Sequence, residues 1–164
     1  MPITPYHLGP VLLLSISGMR ISVPMFAIGS VAPDIGALYC LFAGCPLHGW
    51  HHTIAAGIIL SLIITGIPAF LLYLIFQTGF QIRITAGLHD CMPVFLSLAS
   101  GWILHVLLDA VFYPEINLFY PIPRNPLYNL VSPLLIMAGC VGAGVAGLAV
   151  HSLRLITDGK DRAG

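Results

Sequence analysis

Three long apolar runs dominate the chain. They extend from about Thr53 to Phe76, from about Met92 to Phe112 and from about Leu130 to Leu155. Crossing a hydrocarbon core of about 30 Å takes roughly 20 helical residues, so each run reads as a transmembrane helix. Pro68 predicts a kink in the first, which membrane helices tolerate. In the third, GCVGAGVAG at 139–147 places Gly139, Ala143 and Gly147 one turn apart, a pattern suited to close helix packing. The first 45 residues differ. Leu8–Ser17 and Val23–Val31 are apolar but short, and the polar Gly18-Met19-Arg20 separates them. Each has the length of a half-span, so with Cys40–Leu47 they predict a hairpin of short helices packed on the bundle. The expected fold is therefore all-α: a polytopic membrane helical bundle of about five helices, three of them full spans. A single embedded domain covers residues 1–157, and DGKDRAG at 158–164 forms a short polar tail.

Composition supports the same class. The chain of 164 residues is 58% hydrophobic and only 7% charged, against about 25% charged in soluble domains. Six basic and six acidic residues cancel, which leaves no polyanion-binding footprint and argues against a nucleic-acid partner. No basic region precedes the first apolar run, so no cleaved signal peptide is read. Arg154, Lys160 and Arg162 follow the last span and predict a cytoplasmic C-terminus in an inner cell membrane. Threading back puts Arg83 and Arg20 inside and the 113–129 loop, with Arg124, outside. Cys40 and Cys45 are read either as a disulfide or as simply buried. Cys91 and Cys140 read as small hydrophobes.

Against this apolar background six ionisable positions stand out: His7, Asp34, His48, His52, His105 and Asp109. Such groups at membrane depth cost roughly 2.5–3.5 kcal/mol each on insertion scales, which makes them functional candidates. His105 and Asp109 in GWILHVLLDAVFYPE are four residues apart and share a helix face. A buried His–Asp hydrogen bond without metal is the bland alternative. His48 and His52 in PLHGWHHT repeat the spacing, as zinc-binding helices do, although a histidine cluster beside an interfacial Trp50 would look the same. His51 points away and reads as an interfacial or supporting residue. His7 alone could be a helix-start residue, and Asp34 after Pro33 an N-cap. The predicted topology brings all six to one membrane face. His89-Asp90 falls at the other end, where Asp90 reads as a helix-start residue, and His151 reads as a cation near a helix C-terminus. No P-loop, nucleophile elbow or dinucleotide fingerprint is present.

At HLGP, SVAPDI, HGWHHT and HVLLDAVFYPEINLFYP the chain resembles the membrane-bound metal-dependent hydrolase family, small inner-membrane proteins related to the LexA-regulated hydrolase. The likeness covers most of the chain. Its motif residues fall on His7, Asp34, His48 with His52, and His105 with Asp109. It departs at Gly36, where the family often has a second acid, and at Gly49, where it often has Arg.

The resemblance implies a hydrolase. The six residues would hold one or two divalent ions, zinc above all, with Asp34 or Asp109 bridging ions or orienting a water. Glu115 is a candidate proton donor and Arg124 a candidate contact for an anionic headgroup. The expected substrate is a phosphoester or ester of a lipid or other amphiphile at the extracytoplasmic interface. The alternative is a metal-binding membrane protein or metal-ion transporter. Against transport, Ile54–Ala69 and Met92–Leu104 offer few polar steps across the membrane.

Overall fold

A computed structural model describes residues 5–14, 21–77 and 91–161. Arg20, Arg83, His89, Asp90 and Arg162 lie outside these residues, as do the expectations resting on them. The first described element is a 3-10 turn, Pro5–Leu8, that runs into a short helix α1, Gly9–Leu14. Four long helices follow: α2 (Val23–Ala43), α3 (Ile54–Gln77), α4 (Cys91–Phe112) and α5 (Pro133–Asp161). All four are long and apolar enough to cross a membrane, and no strand is present among the described residues.

The expected all-α bundle of five helices is observed, with one difference in its second member. Val23–Val31 is the first part of a helix of 21 residues that continues through Pro33 and Asp34 and takes in Cys40–Ala43. Its start has Pro24 in the first turn, where a missing N–H is harmless. Its end has Gly44 in the left-handed region (φ 73°), with the Gly44 N–H donating to the Cys40 carbonyl at 2.9 Å. Cys45 bonds to Cys40 through a disulfide and closes this end.

Glycine sets the helix packing. A Cβ at Gly29 would collide with the Leu98 carbonyl, and one at Gly101 with the Phe26 carbonyl, so α2 and α4 meet backbone to backbone. Ser97 completes the seam by accepting from the Ser22 N–H at 2.9 Å. α3 lies against α4 where Gly57 abuts the Trp102 indole. α5 is docked mainly by α1: Gly9 abuts Cys140, and Gly147 abuts Leu12. The small-residue face of α5 is thus Cys140, Gly144 and Gly147. Gly139, expected on that face, has nothing near its Cβ position.

The 113–132 loop folds back over the end of α4. Its Ile116 and Leu118 are fully buried with Trp102, Val106 and Ala110. Asn125 donates to the Ala110 and Tyr113 carbonyls, both at 2.8 Å, and the Asn129 N–H donates to the Val111 carbonyl at 3.1 Å. These bonds satisfy carbonyls that every helix C-terminus leaves open. The Ile54 N–H donates to the Leu118 carbonyl at 3.2 Å, which ties this loop to the start of α3.

Candidate metal centre

The end of α2, the 44–53 connection, the end of α4 and the 113–132 loop all meet at one end of the bundle. About 5 to 14 Å inside the helix ends, at 1.5 Å rise per residue, lie Asp109, His105 and Asp34. All three are buried, as is His52 from the connection. One ligand atom from each of Asp34, His52, His105 and Asp109 falls within 4.8 Å of the others, a grouping that can hold a metal ion.

The spacing within the group is informative. His105 Nε2 stands 3.3 Å from Asp109 Oδ2 and 3.6 Å from Asp34 Oδ1. His52 Nε2 is 3.7 Å from Asp109 Oδ2. His7 Nε2 is 3.4 Å from Asp109 Oδ1. Charge-assisted hydrogen bonds are shorter, about 2.7–2.9 Å. By contrast, two ligands each about 2.1 Å from one tetrahedral ion stand about 3.4 Å apart. The three imidazole–carboxylate separations within the group are therefore ones a common ion could bridge. Consistent with this, His7 Nδ1, His48 Nε2, both nitrogens of His52 and His105 Nε2 are buried without a hydrogen-bond partner. Buried polar groups are rarely left so.

Two of the imidazoles are oriented from behind. The Ser30 carbonyl accepts from His105 Nδ1 at 2.7 Å, which leaves Nε2 to face the carboxylates. Glu115 accepts from His48 Nδ1 at 2.8 Å and leaves the buried His48 Nε2 free. The His48 ring centroid is 4.9 Å from that of His52. Burial raises the Glu115 carboxyl, but hydrogen bonds from its own backbone N–H and from His48 outweigh this and hold it below the usual value. Burial, helped by the neighbouring His105 charge, pushes His52 down to about 3, so its imidazole is neutral, as a ligand must be.

The sequence-derived candidates fare unequally. His7, Asp34, His52, His105 and Asp109 come together, and His48 adjoins them through His52. His48 and His52 do so without sharing a helix, because turns occupy 47–49 and a 3-10 turn covers Trp50–His52. Asp34 is a buried mid-helix residue rather than an N-cap. His51, expected at the interface, is buried: its Nε2–H donates to the Leu47 carbonyl at 2.9 Å, and its own carbonyl accepts from Trp102 Nε1 at 3.1 Å. Its ring lies against both Gly36 and Gly49. A Cβ at Gly36 would come 2.7 Å from this ring, so the ring fills the space a larger side chain there would need. Glu115, the candidate proton donor, stands beside His48, its Oε1 2.8 Å from His48 Nδ1. Arg124 is exposed in the loop, its backbone N–H donating to the Ile122 carbonyl at 2.8 Å.

Two hollows lie beside the centre. One of about 540 Å³ is walled by His48, Glu115, Asn117, Thr53 and Tyr120. The other, about 110 Å³, has His7 and Asp109 on one wall and Phe112, Ile136, Met137 and Cys140 around the rest. Comparison with protein-family models, with curated proteins and with solved structures finds no match.

Proposed function

We propose that the protein is a membrane-embedded metal-dependent hydrolase that cleaves a phosphoester or ester of a lipid or other amphiphile at the extracytoplasmic interface. The observation that carries the reading is the set of 3.3–3.7 Å separations between the Asp34 and Asp109 carboxylates and the buried, unpartnered Nε2 atoms of His52 and His105. Asp34, His52, His105 and Asp109 would hold the ion, zinc by donor type. His7 and His48 extend the set towards a second. Asp109 supports that extension, since its Oδ1 faces His7 and its Oδ2 faces His52 and His105. When bound, such an ion brings water towards ionisation at neutral pH and polarises the group under attack.

The protein's own part is to fix and to exclude. Ser30 and Glu115 hold two imidazoles in the tautomer that presents Nε2 inward. The buried carboxylate oxygens of Asp34 and Asp109 can accept a proton from a water seated between them. Phe112, Ile136 and Met137 keep bulk water from one side. The hollow at His48 and Glu115 admits it from the other. The Cys40–Cys45 disulfide lies at the same end of the bundle as the centre. Disulfides persist in oxidising compartments, which supports an extracytoplasmic placement independently of the Lys and Arg distribution.

The test is elemental analysis of detergent-purified protein beside a His105→Ala/Asp109→Ala variant, followed by phosphate and fatty-acid release from lipid substrates. One or two equivalents of metal in the wild type, lost with activity in the variant, is the expected result. Metal without hydrolysis of any phosphoester or ester would leave a metal-binding or metal-transporting protein. Metal retained in the variant would refute the centre.

A further inference from the structure

The hollow beside His7 and Asp109 does not end there. Through Tyr6 and Cys140, which line both, it joins a second hollow of about 310 Å³. This one passes Gly9 and Gly144 and ends at Leu148, so the combined groove follows α5 from Ile136 to Leu148. At 1.5 Å rise per residue that is about 18 Å of helix. Its walls beyond His7 and Asp109 are apolar apart from Tyr6, Tyr113 and the Cys140 thiol.

We infer that this groove, which runs along the outer side of the close-packed α1–α5 seam, seats one long alkyl chain of the substrate, entering sideways from the bilayer, with the scissile head at His7 and Asp109. The inference rests on the hydrolase reading of the centre and adds to it the form and approach of the substrate. Three observations support it. First, the groove begins at the centre itself: its upper wall includes the Asp109 carboxylate and the buried His7, whose Nδ1 has no partner. Second, α5 meets the rest of the bundle mainly through α1 and the Pro5–Leu8 turn and touches α4 only slightly, so the seam between α4 and α5 is open at the level of Met137. Third, a separate hollow beside His48 has Glu115, Asn117 and Thr53 among its lining residues, polar groups that the alkyl groove lacks. A ligand whose chain lies in the groove thus has polar side chains near its head and apolar ones along its tail.

Lipid tails are as apolar as the groove, so little transfer energy separates the chain in the groove from the chain in the bilayer. The groove acts by shape. It accepts one chain along the seam of two helices and fixes the depth of the attached head. Substrates with a single chain, or with one chain free to leave its neighbour, fit this seat.

Full-length protein in nanodiscs would be photolabelled with two lysophosphatidic acid probes, one with a diazirine near the glycerol and one with it at the chain end. The first is expected to label Phe112 and Met137 and the second Val145 and Leu148, both competed by unlabelled lysophosphatidic acid. Val141→Trp places an indole in the groove from an exposed position and is expected to abolish chain-end labelling while metal content stays at the wild-type value. Val145→Trp serves as a second variant. Uncompeted labelling spread equally over Ile59 and Leu62 on the outer face of α3, or chain-end labelling indifferent to both tryptophans, would overturn the inference. Competed groove labelling in a protein without metal would retain the chain seat and refute the hydrolase reading; metal with diffuse labelling would do the reverse.

Discussion

At the residue scale, the centre depends on groups that never touch its ion. A partner on the second nitrogen fixes a histidine ligand's tautomer and orientation, and Glu115 supplies one for His48 with a side chain that is 56% exposed. Losing such a partner typically costs 10–100-fold in metal affinity. Glu115→Ala is expected to weaken metal binding by about that factor in chelator competition, with no loss of fold, and Glu115→Gln, which keeps an acceptor oxygen, to recover part of it. Acid acts the same way. A carboxyl held below its ordinary value of 4.5 keeps its contribution above that pH and loses it as the pH falls further. The six candidate ligands could be found in the sequence because His and Asp are conspicuous among apolar neighbours. Their supports could not. A backbone carbonyl such as that of Ser30 has no signature, and His51 resembled its ligand neighbours in type while serving to fill space beside Gly36 and Gly49.

At the scale of elements, hydrophobic run length located α3, α4 and α5 well, and it failed for α2. Gly29, Ser30, Pro33, Asp34 and Gly36 break the apolar run, yet four of these five are buried and each answers to a neighbour rather than to lipid. Hydropathy measures a helix against lipid, so a span packed along one side on α4 scores short. The same limit applies to glycine: spacing suggested a packing face on α5 but could not choose between Gly139 and Gly144. Two substitutions separate these cases. Gly101→Leu forces a side chain into the α2 backbone and is expected to cost at least the 1–3 kcal/mol typical of overpacking, read as a lower melting temperature in detergent. It should also release metal, because Asp34 moves with α2. Gly139→Leu, with open space around it, should leave both unchanged.

At the scale of the whole molecule, the proposed orientation puts the 113–132 loop and the disulfide outside. A Tyr120→Cys variant in intact cells is expected to react with a membrane-impermeant maleimide added externally; labelling only after permeabilisation would reverse the topology. The closing of the loop by Asn125, which donates to two α4 carbonyls, also suggests a measurable dependence. Asn125→Ala is expected to destabilise the protein by about 1–3 kcal/mol through the unsatisfied carbonyls. One feature of the centre bears on how the protein is made. His7 leaves the ribosome with the first helix, whereas the carboxylate that faces it, Asp109, belongs to the fourth. A chain still in synthesis therefore carries imidazoles with no carboxylate hub to gather them. Under the proposed function, capture of the ion is reserved for a chain whose fourth helix has already entered the bilayer, and an abandoned fragment stays both inert and unloaded.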